Sequence, residues 1–232
     1  MNTGPVARNL DELEERIARA AEGAGRSPSD IRIVAVSKTV DADHVREAYE
    51  WGQRAFGENR VQELTRKAPL LPEDCEWHMI GHLQRNKVRP ALQNAAWIHS
   101  ADSTALIERI ERIAEDEDVT PRILLQLNVS GEESKYGIPP DKAPELLETA
   151  LNCRRLECRG LMTMAPYECP EKRLHEIFAA LRTQRDRLAR NFDCSLAELS
   201  MGMSGDFETA IAEGATLVRI GTAVFGNRST TA

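Results

Sequence analysis

The feature that most constrains the fold of this chain is a regular alternation. Eight short apolar or β-rich runs occur at residues 31–37, 55–59, 77–81, 97–101, 122–129, 159–165, 198–204 and 217–222. Helical periodicity fills the gaps, most clearly where Leu174, Ile177, Phe178, Leu181 and Leu188 share one face of residues 171–190. Further helices are expected to start at DADHVREAYE, DSTALIERIERIAE, PDKAPELLETAL and DFETAIAEG. Several runs are apolar on both faces, as parallel strands covered by helices must be. Strand and helix alternating in this way specify an α/β fold with right-handed crossovers.

Eight strands within 232 residues suit a single (β/α)8 TIM barrel, a fold that spans roughly 200 residues or more. A doubly wound open sheet is the competing architecture, but no G-x-G-x-x-G follows the first strand. The opening segment, with Leu10, Leu13, Ile17 and Ala21 at helical spacing, ends at the GAGRSPSD stretch of residues 23–30. The last strand is followed only by VFGNRSTTA, which leaves no room for a closing helix. The N-terminal helix is therefore expected to complete the outer ring, and residues 1–232 to form one domain with no linker or repeat.

A net charge of −7 argues against a nucleic-acid surface, which needs concentrated basic groups. It leaves room for a small phosphorylated ligand, which one arginine and a few backbone N–H groups can hold. Five scattered cysteines without a C-x-x-C pair point to neither zinc nor redox chemistry and fit a reducing cytoplasm. No leader-like apolar segment and no run of about 20 apolar residues occurs. A cytoplasmic chain with no membrane partner is expected.

Barrel active sites form at the C-terminal ends of the strands. Lys38 follows the first strand and shares a face with Val34 and Val36. Partial desolvation there would favour the neutral amine that attacks an aldehyde; the alternative is a lysine simply reaching water. Arg219 interrupts the apolar eighth strand, where a buried guanidinium needs compensation, either from a ligand or from a structural carboxylate. Strand seven runs into Ser204 and Gly205 before a helix, and strand eight into Gly221 and Thr222. Hydroxyls, glycines and free N–H groups thus coincide where barrels often bind phosphate, although Ser204 could serve only as a helix cap and Gly221 only as a turn.

Other residues weigh less. His78 and His82 have a helical metal-pair spacing but fall in a strand ending in glycine, so no metal is expected; His82 remains a candidate for the barrel mouth. Asn59, ending strand two, could bond a ligand or cap the next helix. Met162, Met164, Met201 and Met203 read first as core filling.

Taken together, AVSKT around Lys38, FGENRVQE (56–63), WHMIGHLQRNK (77–87), KYGIPP (135–140), GLMTMAP (160–166), LSMGMSGDFETAI (199–211) and VRIGTAVFG (218–226) resemble the pyridoxal-phosphate homeostasis protein family in order and over nearly the whole chain. The resemblance implies a barrel like the N-terminal domain of alanine racemase, with pyridoxal 5′-phosphate (PLP) held as a Schiff base on Lys38. It implies Arg219 facing the pyridine nitrogen and Ser204, Gly221 and Thr222 at the phosphate, with Ser200, Met203 and Asn59 as further pocket residues. It also implies a non-catalytic role in intracellular PLP and amino-acid balance, with PLP-dependent apo-enzymes as possible recipients and the chain a monomer. Arginine at the ring nitrogen does not favour its protonation, which weakens the electron sink, and no further domain is expected after Ala232 to bring a second acid/base. The competing readings are a PLP-dependent amino-acid racemase and a barrel aldolase that uses no PLP.

Overall fold

The computed structural model describes residues 4–132 and 135–226. The expected domain of residues 1–232 therefore includes a few positions, at both ends and at 133–134, that lie outside the described residues. Eight parallel strands close into a barrel in sequence order, with the first strand paired to the eighth. They are β1 (Arg32–Val36), β2 (Ala55–Glu58), β3 (Glu76–Met79), β4 (Trp97–Ala101), β5 (Arg122–Gln126), β6 (Glu157–Met162), β7 (Glu198–Ser200) and β8 (Leu217–Ile220). Each falls within or against a run expected from sequence.

The outer helices are α1 (Pro5–Gly23), α2 (Ala42–Trp51), α3 (Val61–Lys67), α4 (Val88–Leu92), α5 (Thr104–Asp116), α6 (Ala143–Leu151), α7 (Glu171–Asn191), α8 (Phe207–Ala212) and α9 (Thr222–Phe225). Helix α7 buries Leu174, Ile177, Phe178, Leu181 and Leu188 as its periodicity requires, with Gln184 on the same face. Helix α1 buries Val6, Leu10, Leu13, Ile17 and Ala21 and packs against α2, α8 and α9. It therefore occupies the open place in the ring. Its first turn is held by the Glu47 carboxylate, which accepts the Val6 N–H at 2.9 Å and so satisfies a donor that the helix itself cannot. Arg16 pairs with Glu208 and lies 4.6 Å over the Phe207 ring.

One expectation fails here. A helix does follow β8: the single turn α9, which folds under α1 and accepts the Asn9 amide at Val224 O, 2.8 Å. A four-residue turn needs little chain and carries no periodicity of its own, so the sequence does not announce it.

Strand alternation and register sort the inward side chains into layers, each drawn from alternate strands. Arg32, Glu76 and Arg122 form the floor. Above them lie Ala55, Trp97, Gly160 and Leu217, then Val34, His78, Leu124 and Ser200, then Gly57, His99, Met162 and Arg219. Val36, Ile80 and Gln126 lie nearest the mouth. The apolar members form their own cluster, separate from the larger core between strands and helices. Gly57 is small for a reason: a Cβ there would come within 3.0 Å of Val34 Cγ1 and 3.1 Å of Ile80 Cδ1.

Candidate functional site at the barrel mouth

Strand β1 aims Val34 and Val36 into the lumen, and Lys38 follows two residues on, in a tight turn closed by Val40 N–H to Ser37 O at 3.0 Å. The Lys38 side chain is exposed, which corrects the expected partial desolvation: the turn lifts the residue clear of the apolar strand that precedes it. Thr39 holds a left-handed φ of 62°, a conformation that costs a β-branched residue on the order of 1–3 kcal/mol. The Glu63 carboxylate fixes it by accepting the Thr39 N–H at 2.7 Å.

Beneath this turn lies a buried charge network that the sequence reading missed. The Lys67 ammonium donates to Ser37 O at 2.5 Å, to Glu58 Oε1 at 2.6 Å and to Glu63 Oε2 at 3.3 Å, while Ser37 Oγ donates to Glu58 at 2.7 Å. Lys67 and Glu58 are almost wholly inaccessible. Burial pushes the Glu58 carboxyl up despite Lys67 and Ser37. For Glu63, burial is outweighed by the Thr39 N–H and Lys67, and the net shift is downward. The available signal was the i,i+4 pair Glu63–Lys67 on a short helix just behind FGEN, which reads as an ordinary surface pair.

Arg219 is buried and lies in register with Val34 of β1, two residues below the end of the strand that leads into that turn. Its guanidinium donates to Ser200 Oγ at 2.6 Å and to Thr163 O at 2.9 Å. Burial lowers its pKa to about 10, with the Asp206 charge acting in the opposite direction. Among the described residues no carboxylate forms a salt bridge with it, so the structural ion pair considered from sequence is not what compensates it. Ser200 sits below Arg219 rather than at the mouth.

The loops after β7 and β8 meet beside Arg219. Ser204 Oγ accepts the Ala223 N–H at 3.3 Å. Ser204 is not the cap of α8, as the cap position falls on Asp206, whose carboxylate accepts the Met203 N–H at 2.5 Å. Among the described residues, the N–H groups of Ser204, Gly205 and Thr222 make no hydrogen bond. Gly221 packs closely on β1, where a Cβ would stand 3.4 Å from Val36 O. Met203 is half-buried at the edge of this cradle, while Met162 and Met201 are buried core.

On the β2–β3 side, Asn59 lines a groove of about 650 Å3 with Arg60, Gly81, His82, Lys87 and Tyr136. Asn59 does not cap α3, whose cap position is Arg60. His82 stacks on Tyr136 with ring centroids 4.5 Å apart and faces Asp102 at 3.3 Å. His78 points the other way, into the lumen and stacked on Trp97, so the two histidines do not converge on one ion. Burial raises the Cys75 and Cys153 thiols to about 11 and Cys158 to about 12, which leaves them poor nucleophiles.

The family described as alanine racemase, N-terminal domain, matches residues 8–229. The pyridoxal phosphate homeostasis protein of Aquifex aeolicus is 44% identical over 221 residues, covering 94% of this chain and 96% of that protein. The proteins of that name from Escherichia coli K12 and Homo sapiens are each 39% identical, over 96% and 94% of this chain and 97% and 85% of their own lengths. Among solved structures, PipY of Synechococcus elongatus with PLP bound superposes with a TM-score of 0.85 at 39% identity, over 95% of this chain and all of PipY. An alanine racemase of Clostridium difficile shares the fold alone, with a TM-score of 0.74 at 14% identity over 97% of this chain and 57% of that one. The chain belongs to the pyridoxal phosphate homeostasis protein family.

Proposed function

We propose that this chain binds PLP through Lys38 and takes part in intracellular PLP and amino-acid balance as a carrier without catalytic turnover. The observation that carries the reading is Arg219. A guanidinium is a donor-only group, it is buried without a carboxylate salt bridge among the described residues, and its strand pairs with β1, which leads into the Lys38 turn. Such a group fits a ligand that presents a lone pair, as an unprotonated pyridine nitrogen does. The unpaired N–H groups of Ser204, Gly205 and Thr222, with the Ser204 and Thr222 hydroxyls, fit the phosphate. Asn59 and Met203 border the space between.

PLP supplies an aldehyde and a ring that withdraws electrons when its nitrogen is protonated. The residues of this chain use the first property and restrain the second. Lys38, exposed on its fixed turn, would hold PLP through its amine, which is accessible there to an aldehyde. Arg219 would hold the ring nitrogen by donating to it and would leave it unprotonated, because a guanidinium with a pKa of about 10 keeps its proton at neutral pH. The cytoplasm as location, a monomer as the working unit and PLP-dependent apo-enzymes as recipients belong to the same proposal. Among the described residues no helix is long and apolar enough to cross a membrane, and the net charge of −7 disfavours nucleic acid.

Borohydride reduction of protein loaded with PLP, followed by peptide mass spectrometry, tests the attachment. A pyridoxyl group on the Lys38 peptide, absent in Lys38→Ala, is expected; an adduct on another lysine overturns the assignment. Incubation with single L-amino acids tests the absence of turnover. Steady accumulation of the D-enantiomer would replace the carrier with a racemase.

A further inference from the structure

The lumen holds a hydrogen-bonded chain that none of the ligand contacts requires. Ser200 Oγ lies 2.6 Å from Arg219 Nη1 and 2.9 Å from His99 Nδ1. His99 Nε2 lies 2.9 Å from His78 Nδ1, and His78 Nε2 3.1 Å from Glu76 Oε1. At the floor, Glu76 accepts Arg32 at 2.7 Å and Arg122 at 2.9 Å. The chain thus descends from the layer of Arg219 to the bottom of the barrel, and both histidines and Ser200 are fully buried.

Its two ends fix its direction. Arg219 can only donate, and an ionised Glu76 can only accept. With both rings neutral, one assignment satisfies every link: Arg219 Nη1–H to Ser200 Oγ, Ser200 O–H to His99 Nδ1, His99 Nε2–H to His78 Nδ1, and His78 Nε2–H to Glu76. Reversing the histidines would aim the His78 Nε2 lone pair at a carboxylate. A second proton on either ring would either set two N–H groups against each other or turn His99 Nδ1–H onto Ser200 Oγ and leave the buried Ser200 O–H without its acceptor, in a lumen already holding Arg219 from β8, Arg32 from β1 and Arg122 from β5 against Glu76 from β3.

We propose that His99, His78 and Glu76 are positioning residues, a tautomer-locked relay that holds Arg219 in the orientation in which its remaining N–H groups face the ligand. Glu76 specifies the direction, and the two neutral imidazoles carry it upward through the barrel. Ser200 then presents only a lone pair to Arg219. Burial drives both histidines toward the neutral form, at His78 against the opposing pull of Glu76 and at His99 with His78 and Arg219 adding to it. Opposing its own burial, the His78 and arginine contacts hold Glu76 at about 2. The ligand half of this proposal rests on the PLP reading; the tautomer half does not.

The test has two arms. In protein free of ligand, long-range 15N–1H correlation spectra should show His78 and His99 as neutral Nε2–H tautomers from pH 5.5 to 8.5. In Glu76→Gln, whose amide can donate as well as accept, the Nδ1–H form should appear. An Nδ1–H tautomer or a titrating ring in the native protein overturns the relay. In the second arm, Glu76→Gln, distant from the ligand, should weaken PLP several-fold and shift its absorbance. His99→Leu should weaken it about tenfold or more, the scale of one hydrogen bond to a charged group, with native circular dichroism retained. PLP affinity and absorbance unchanged in both variants overturn the positioning role while leaving PLP binding intact. Failure of the native protein to take up PLP at Lys38 overturns the functional reading and the ligand half together, whatever the tautomers show.

Discussion

Lys67 is the side chain on which the shape of the Lys38 turn most depends. It joins Ser37 of the turn to Glu58 of β2 and Glu63 of α3, and Glu63 in turn holds the left-handed Thr39. Removing one member of a buried ion pair strands the other, at a cost of about 3–5 kcal/mol. Lys67→Met should therefore lower stability by that amount in urea unfolding. Lys67→Met combined with Glu58→Gln should cost less than the sum of the two single changes. An additive result would show that the pair is not coupled. Ser204 makes a milder case. Ser204→Ala removes a hydroxyl that braces the β8 loop through the Ala223 N–H, and PLP retention should fall by about tenfold while any trapped adduct still maps to Lys38. An unchanged affinity removes Ser204 from the phosphate cradle.

Among the elements, α1 closes the ring with an apolar stripe against α2, α8 and α9. Leu10 is fully buried there, so Leu10→Ala should cost about 2–5 kcal/mol, read as a shift in the urea midpoint. This stripe was legible, as were all eight strands and the longer helices, because each repeats its pattern over enough residues to declare a period. Helices α3 and α4, at seven and five residues, showed no periodicity of their own, whereas the six-residue α8 was marked by the DFETAIAEG stretch between two strand runs. At the site, Lys38, Arg219, Ser204, Gly221 and Thr222 stood out because polar or small residues end apolar strands. Thr39 gave no warning, since a β-branched residue at positive φ breaks local preference and its N–H is held by a carboxylate 24 positions away. His78, His99 and Glu76 were hidden for a related reason: Glu76 and His78 share β3, but the links to His99 of β4, Ser200 of β7 and Arg219 of β8 cross the barrel, and no spacing within one strand reveals them.

At the scale of the whole molecule, two neutral histidines buried in the lumen make stability depend on pH. Both have pKa values lowered by burial, so the unfolded chain takes up protons that the folded one refuses once pH drops below about 6.5. Stability is then full above that value and declines as pH falls. The urea midpoint should be lower at pH 5.5 than at pH 7.5, and His99→Leu should flatten the difference. An equal pH slope in the variant would show that His99 carries none of it. The seam between β1 and β8 has a different consequence. The amine-bearing turn and the guanidinium belong to the first and last strands of the barrel, so the proposed pocket comes into being only when the barrel closes. Capture of PLP would thus report that the ring has closed, and a chain cut before the eighth strand should expose two raw sheet edges, prone to aggregate and unable to take up PLP.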